Sequence, residues 1–375
     1  MKLRQLLFAC SAFFALWSTA QVSVAPNGGN QKSVTRQYLG SVAFVEIQYS
    51  SPDVAGRENL WGTVVPNGLN PFGFGNSTAD NPSPWRAGAN ENTTIEISHD
   101  AKIDGKDLPA GKYGFHVITQ AEGPWTLIFV SETEAWGSFF YHPDQDVLRT
   151  EATPEETEFT EYLTYEFTNR KVDQTTVSLI WEKKKVSFTI EIPNNNDIMM
   201  TQIESELKGP KGFNFASWVQ AANWASGAGY HDKALAWAEN AITAPFIGQR
   251  NYTTISTKAT VLFAKGDVDE AVAAMDEAIA DPSATSGQIH QYGRRLVAQD
   301  MDEKALEVFK LNHKKFEGAW PTNYGLARGY SAVGNYKQAL KYMKLAKENV
   351  PSGDTVNPPL IEDNIKKLEN GEDIN

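Results

Sequence analysis

The sequence has a single cysteine, Cys10, so it offers no pair of thiols for an internal disulfide. Cys10 lies in an apolar run, Leu6 to Trp17, which follows two basic residues and precedes the small residues Ser18-Thr19-Ala20. A basic region, a short apolar run and a small-residue cleavage site together make a secretory signal peptide. We therefore predict a signal peptide over residues 1–20. The mature chain would then lack cysteine for disulfides, thiol catalysis or thiolate metal sites.

Long apolar runs and excess basic charge are also missing. Beyond the first twenty residues, no segment approaches the roughly 18 consecutive apolar residues of a membrane-spanning helix. The chain has 34 Lys and Arg against 46 Asp and Glu, a net charge of −12. Nucleic acids and anionic membranes bind through basic patches, which makes both poor partners. We predict an exported protein, periplasmic or extracellular, with no nucleic-acid partner and no transmembrane segment in the mature chain.

The motifs of several common catalytic classes are missing as well. The chain has no His-Glu-x-x-His pair, no Gly-x-Ser-x-Gly elbow and no phosphate-binding Gly-Lys-Thr. The Gly73-Phe-Gly75 loop lacks the third glycine, the preceding strand and the following helix of a dinucleotide site. The sequence therefore assigns no catalytic residue and no cofactor. Whether the protein is an enzyme stays open, with a non-enzymatic protein favoured.

Residues 36–195 show the pattern of short antiparallel strands. Val45, Ile47 and Tyr49 alternate with polar residues, the period of a strand with one buried face. Asp104-Gly105 is a favourable hairpin turn. About nine strands without a convincing helix between them predict an all-β antiparallel sandwich or barrel. The later strands are Ile95–Ile97, Tyr113–Thr119, Trp125–Val130, Trp136–Tyr141, Tyr162–Thr168, Thr176–Trp181 and Val186–Ile192.

Residues 213–351 contain a repeat. Four helical segments align on alanines that are spaced by 37, 34 and 34 residues. A 34-residue helix–turn–helix unit with a small residue opening its second helix is the pattern of tetratricopeptide repeats, which this region resembles. The resemblance implies stacked helix pairs with a groove that binds a protein or peptide, the alternative being a helical brace for the β domain. The aligned alanines are Ala234, Ala271, Ala305 and Ala339.

Polar breaks in the sequence predict the domain boundaries. Pro193-Asn-Asn-Asn196 ends the β pattern, and Asn357-Pro-Pro359 precedes a terminal capping helix, Leu360–Leu368. The predicted order is a signal peptide (1–20), a flexible leader (21–35), a β-sandwich domain (36–195), a helical linker (196–212), tetratricopeptide-like repeats (213–351) and a C-terminal tail with the capping helix (352–375).

Several short motifs of the β region occur together, in register, in one family. They are YSSPDVAGR (Tyr49–Arg57), LWG, VVPNG, WRAGANENTTIEISHD (Trp85–Asp100), LPAGKYGFHVI, WTLIFV, Trp136-Gly137 and DVLR (Asp146–Arg149). On these motifs, residues 36–192 resemble the secreted bacterial proteins grouped as domain of unknown function 2911. The resemblance implies a β-sandwich and an extracytoplasmic location, but no catalytic residue. Leu69–Pro84 departs from the pattern, and we expect this insertion to form a long loop beside the polar stretch.

The polar stretch Trp85–Asp100 contains the candidate ligand-binding residues. A guanidinium fork with neighbouring carboxamides can hold carboxylates or sugar hydroxyls, and a tryptophan can stack on an apolar ring face. The structural alternative is that the arginine pairs with Glu91 or Asp53, the asparagines satisfy loop backbone and Trp61, Trp85 and Trp136 are core residues. The candidates are Arg86, Asn90, Glu91, Asn92 and Trp136.

Two further chemistries are weaker alternatives. His99, His116 and His142 would bind zinc only if they met in space, which their spacing does not require; we predict no metal site. Glu91, Glu96 and Asp100 are the carboxylates available to a hydrolase. The sequence therefore predicts a non-enzymatic binding or scaffold protein. The alternative is a module that binds or hydrolyses cell-envelope glycan at the polar stretch.

Overall fold

The computed structural model describes residues 29–317 and 319–375, so the predicted signal peptide lies outside the described residues. Internal contacts divide the chain between Met199 and Met200 into two compact units. The first unit is built on strands and the second on helices. No helix in the described ranges is both long enough and apolar enough to span a membrane.

The first unit consists of two antiparallel sheets. Its strands are β1 (Gln31–Leu39), β2 (Ala43–Ser51), β3 (Ala89–Ile97), β4 (Ala101–Ile103), β5 (Lys106–Leu108), β6 (Gly111–Ile118), β7 (Trp125–Val130), β8 (Asp146–Ala152), β9 (Glu155–Thr168) and β10 (Gln174–Glu191), with a helical turn α1 (Leu60–Thr63) after β2. One sheet has the order β1-β2-β3-β6-β7-β8 and the other the order β5-β4-β10-β9. Neighbouring strands run antiparallel throughout both sheets.

Side chains from both sheets form one apolar core. Phe188 of β10 packs against Phe115 of β6 and Phe129 of β7, with ring centroids 5.5 and 5.8 Å apart. All three rings are buried, as alternation along half-buried strands requires. The predicted antiparallel β fold is therefore confirmed, as a two-sheet sandwich.

The strand boundaries differ from the prediction at several places, and β8 was not predicted as a strand. Trp136–Tyr141 was predicted as a strand, but it lies in the loop between β7 and β8, where Gly137 has a φ of +59°. The aromatic run has strand propensity but pairs with no neighbouring strand. β10 replaces two predicted strands, because a bulge at Glu182 (φ +55°) bends one continuous strand. β1 begins at Gln31, within the predicted leader, and its exposed residues gave little apolar signal.

The second unit is a series of helix pairs. Its helices are α2 (Asn195–Lys208), α3 (Phe215–Gly227), α4 (His231–Thr243), α5 (Tyr252–Lys265), α6 (Val268–Ala280), α7 (Ser286–Val297), α8 (Asp302–Lys315), α9 (Trp320–Ala332), α10 (Tyr336–Asn349) and α11 (Asn357–Glu369). The first residues of α2 belong to the other unit. α3 pairs with α4, α5 with α6, α7 with α8, and α9 with α10.

The repeat alanines explain the close pairing of these helices. Ala234, Ala271, Ala305 and Ala339 lie in the second helix of each pair and are fully buried. A larger side chain there would push the paired helices apart. The three extra residues of the first spacing lie between α4 and α5, in residues 244–251. The predicted tetratricopeptide-like fold is confirmed, and the predicted capping helix is α11.

Candidate functional site

The polar stretch enters the six-stranded sheet through a strained turn. Ala87 and Asn90 have φ values of 51° and 56°, a conformation that asparagine tolerates and alanine disfavours. The Ala87 carbonyl accepts hydrogen bonds from Thr93 Oγ1 (3.2 Å) and Tyr165 Oη (2.8 Å), which hold the turn in place. Backbone strain that surrounding contacts enforce is concentrated at functional sites, so the turn is a candidate.

Arg86, within this turn, is largely buried and has no carboxylate partner among residues 29–317 and 319–375. Its Nη1 donates to the carbonyl oxygen of Asn90 (2.6 Å), and its guanidinium carbon lies 5.2 Å from the centre of the Phe139 ring. The Gly137 backbone covers the same group so closely that a Cβ there would lie 2.4 Å from the guanidinium carbon. Burial lowers the pKa of Arg86, and no charge of the described residues offsets the effect. A buried cation without a counter-ion is unfavourable unless a bound molecule supplies one.

Arg86 forms one wall of a cleft of about 280 Å³, which we name the Arg86 cleft. Its lining includes the exposed ring of Phe72 and, at the core side, the buried rings of Trp85 and Trp181, which stack 6.2 Å apart. Arg57 adds a second guanidinium, which donates to backbone carbonyls and approaches Asp53 at 3.5 Å. In the described part of the chain, no carboxylate, hydroxyl or imidazole side chain lines the cleft. It can therefore bind an anion but offers no acid or base for catalysis.

The insertion in the family pattern contributes to this cleft. Residues 69–84 form a closed loop in which Asn70 and Ser83 pair through two backbone hydrogen bonds of 2.9 Å. Phe72 of this loop lines the cleft, and its ring also contacts Phe139, on which Arg86 lies. The insertion therefore lies beside the polar stretch, as the sequence predicts.

Glu91 and Asn92 lie in a second, smaller cleft of about 130 Å³. Glu91 accepts a hydrogen bond from Ser50 Oγ (2.9 Å), and hydrogen bonds from its own backbone and from Ser50 lower its pKa. Asn92 Nδ2 donates to the Glu132 carbonyl (3.0 Å), while its buried Oδ1 has no hydrogen-bond partner in the described chain. The other charged residues that line this cleft are Lys32, Lys112 and Glu134.

The five predicted ligand-binding residues thus fall into separate places. Arg86 and Asn90 share the Arg86 cleft, and Glu91 and Asn92 share the smaller cleft. Trp136 is 53% exposed and lines neither. The ion pair of the structural alternative, Arg86 with Glu91 or Asp53, is not formed in the described chain; Ser50 bonds Glu91 and Arg57 contacts Asp53. Its other parts hold except at Trp136: Trp85 is buried in the core with Trp61 packed against it, and Asn90 and Asn92 donate to backbone carbonyls.

Sequence reasoning missed three residues of the Arg86 cleft. Arg57 ends a motif shared with the family, and Phe72 lies in the insertion, so both carried a signal. Trp181 carried none that linked it to Arg86, because it lies on β10 of the other sheet, and a local pattern does not show which strands of two sheets face each other.

The three histidines of the first unit have separate partners. His116 is buried, and its Nδ1 lies 3.0 Å from Ser138 Oγ; burial, aided by the charge of Arg86, lowers its pKa to about 3. His99 contacts the adjacent serine and His142 contacts Asp144. Within residues 29–317 and 319–375, no group of three or more His, Cys, Asp or Glu is arranged to hold a metal ion.

The carboxylates considered for a hydrolase also lie apart from the Arg86 cleft. Asp100 accepts a hydrogen bond from the Ala110 N–H (2.8 Å), and Glu96 lies opposite Glu46 in the sheet. Glu91 lines the smaller cleft. Among the described residues, none of these three carboxylates lines the cleft that contains the aromatic residues.

In the second unit, the first helices of the four pairs carry no Asp or Glu. Three of them, α5, α7 and α9, carry basic residues, whereas α3 carries no charged residue. The second helices carry ten Asp and Glu. The whole chain has more acidic than basic residues, so first helices that carry only positive charges depart from its average composition. The basic residues of the first helices are Lys258, Lys265, Arg294, Arg295 and Arg328.

Three of these five cations have no ion-pair partner in the described ranges. Lys258 pairs with Glu239 (3.0 Å), and Lys265 pairs with two aspartates. Arg294 and Arg295 instead line a cleft of about 440 Å³ between α5 and α7, and Arg328 bonds Tyr324 and Asn375. We call this surface of α5, α7 and α9 the basic groove; its other polar lining includes Ser256, Gln288 and Gln291.

His290 links the basic residues of α7 to those of α9. Its pKa is lowered to about 4, first by burial and then by the positive charges of Arg328 and Arg294. Its ring contacts Tyr324 of α9 at 6.4 Å. Arg294 of α7 and Arg328 of α9 therefore both contribute positive charge at His290.

Comparison with known proteins finds a family for the first unit. Residues 30–190 match the family described as "Protein of unknown function (DUF2911)". The resemblance expected from the sequence motifs is confirmed over these residues of the first unit. The comparison with curated proteins finds no match.

Solved structures similar to the chain include helical repeat proteins. They are MamA (16% identity over 40% of this chain and 85% of that chain, TM-score 0.32), YrrB, described as "a TPR protein with an unusual peptide-binding site" (18%, 43% and 80%, TM-score 0.31), and the C-terminal part of a TPR repeat-containing protein from Cytophaga hutchinsonii (13%, 46% and 70%, TM-score 0.35). These neighbours are tetratricopeptide proteins and match the helical part of the chain.

Proposed function

We propose that the protein is an exported, non-enzymatic scaffold whose repeats bind an acidic segment of a partner protein in the basic groove. The tetratricopeptide-like architecture supports protein interaction as the general function. The observation that carries the choice of an acidic partner is the complete lack of Asp and Glu on the first helices. Export is supported by the N-terminal pattern over residues 1–20.

The side chains of the groove suit an extended peptide with carboxylates. Arginine forms bidentate hydrogen bonds with carboxylate, and Arg294 and Arg295 have no competing carboxylate in the described residues. Gln288 and Gln291 can donate to and accept from a peptide backbone. A single exposed ion pair contributes only about 0–1 kcal/mol, so affinity requires several pairs along one groove.

The test uses the mature chain and a library of acidic peptides. Each acidic peptide is matched with a control in which Gln and Asn replace every Glu and Asp. We expect the acidic members to bind and their amide counterparts to bind at least about tenfold more weakly, a difference of about 1.4 kcal/mol. Equal binding of both sets would contradict an acidic partner. Fluorescence anisotropy of the labelled peptides gives the Kd.

Paired variants locate the binding surface. The double variant R294Q/R295Q removes two cations from the last turn of α7, and K314Q/K315Q removes two cations from the last turn of α8, a second helix. The two double variants change net charge and helix-end charge alike. We expect only R294Q/R295Q to weaken peptide binding, by about tenfold or more. Equal losses would show that the peptides respond to overall charge and would contradict the groove.

A further inference from the structure

We propose that the Arg86 cleft binds a small organic molecule that carries a carboxylate on an apolar ring or chain. The inference concerns the first unit and is independent of the partner of the repeats. It depends on the position of Arg86, the aromatic surface beside it and the charges that line the cleft.

The position of Arg86 is fixed before any ligand arrives. The backbone of Gly137 and the ring of Phe139 lie against the guanidinium, and the Asn90 carbonyl accepts from Nη1. No acceptor among the described residues bonds its remaining N–H groups. A planar guanidinium held in one orientation matches the two oxygens of a carboxylate, and a prearranged donor keeps the ordering cost of binding low.

The rest of the cleft suits the apolar part of such a ligand. Phe72, on the insertion loop, is the exposed aromatic ring of the cleft, while the buried rings of Trp85 and Trp181 support its floor from the core. A volume of about 280 Å³ lies just below the usual range for small-molecule sites and fits one ring with a short chain. Arg57 adds positive charge, and no side chain of opposite charge lines the cleft. The cleft therefore favours an anion over a cation or a neutral molecule.

The strained turn supports a binding role over a purely structural one. Ala87 and Asn90, on either side of the cleft's backbone wall, both have positive φ. Ala87 is fully buried in the core, and its positive φ is a conformation that alanine disfavours. Its strain and the unpaired charge of Arg86 both cost folding free energy, which is the pattern of a site shaped for a ligand.

The probes for the test are hydrocinnamate, its neutral amide hydrocinnamamide, and inorganic phosphate. Hydrocinnamate has one ring, a short chain and a carboxylate, and the amide keeps the shape without the charge. We measure binding to the intact mature chain by calorimetry and ligand-observed NMR. We expect hydrocinnamate to bind at least about tenfold more tightly than either the amide or phosphate. Equal affinities, or no binding of hydrocinnamate, would overturn the proposal.

Variants test the residues. R86Q should weaken hydrocinnamate binding at least about tenfold. R36Q is the control and should not weaken it, because Arg36 of β1 does not line the cleft and pairs with Glu46 of β2. R86Q should keep or raise the unfolding free energy, because it removes an unpaired buried charge. F72A, on the exposed insertion loop, should weaken hydrocinnamate and the amide alike without destabilising the core. Equal weakening by R86Q and R36Q, or tight binding by F72A, would contradict the site.

Discussion

At the scale of single residues, His116 makes the stability of the first unit depend on pH. The ring is buried, and burial with the nearby charge of Arg86 lowers its pKa to about 3. In the unfolded chain a histidine titrates near pH 6.5. Between about pH 6.5 and 3, the unfolded state therefore binds a proton at His116 that the folded state does not bind. The stabilisation is complete above about pH 6.5 and is lost as the pH falls toward 3.

We expect H116N to flatten this dependence. Asparagine keeps a polar group near Ser138 Oγ but does not titrate. Between about pH 6.5 and 5, wild type should lose up to about 1.4 kcal/mol of unfolding free energy per pH unit from this group, and H116N should not lose it. Urea unfolding followed by tryptophan fluorescence measures the slopes. Between about pH 7 and 8 the two curves should run parallel, which is the internal control. Parallel curves at lower pH as well would contradict the prediction.

The sequence predicted which side chains of the polar stretch are candidates for binding, but not which residues lie near them in the fold. Arg86 and Asn90 were identified because hydrogen-bonding side chains cluster where a strand begins. Glu91 and Asn92 line a different cleft from Arg86, and alternation along β3 does not reveal this. The positive φ of Asn90 interrupts the regular alternation of side chains, so the faces of residues before and after it cannot be read from the pattern. Trp136 was misplaced because its segment was predicted as a strand and is a loop.

At the scale of elements, two glycines of α7 differ in the space that a side chain would have. Gly293 packs against α8 so tightly that a Cβ would lie 2.6 Å from Cζ of the fully buried Phe309. Gly287, in the first turn of the same helix, would place a Cβ in open space. Within α7, the close approach to α8 therefore depends on Gly293 and not on Gly287.

We expect G293A and G287A to have opposite effects on stability. Alanine favours a helix over glycine by about 1 kcal/mol, but at Gly293 the clash should outweigh this and lower the unfolding free energy by about 1–3 kcal/mol. G287A should leave it unchanged or raise it by up to about 1 kcal/mol. Circular dichroism at the helix minimum during urea unfolding measures both. A stabilising G293A would show that Phe309 moves aside and that the contact does not set the helix spacing.

Elements with a repeated pattern were predicted better than elements without one. The alanine spacing located all four helix pairs, because the same packing requirement recurs at each pair. β1 and β8 were missed because each is an outer strand of its sheet, with exposed polar residues and little alternation. The bulge at Glu182 was also unpredictable, since no proline or glycine marks it.

At the scale of the whole molecule, charge is distributed unevenly on an acidic chain. The chain has a net charge of −12, yet three of the four first helices of the repeats, α5, α7 and α9, carry cations and no Asp or Glu. Within about 10 Å, the screening length at moderate salt, a bound peptide responds to these arginines more than to distant carboxylates. Net charge therefore predicts solubility, while the local distribution predicts the partner.

The sole thiol of the chain reports on export. Cys10 lies in the predicted signal peptide, outside the described residues. If the segment is removed after Ala20, protein recovered from the producing cell's envelope or medium has no thiol. We expect it to remain unmodified by a maleimide under denaturing conditions, with an intact mass that begins at Gln21. The same chain made by cell-free translation without membranes should take up one maleimide. An exported protein that also takes up one maleimide would show that the segment is retained, and would contradict a cleaved signal peptide.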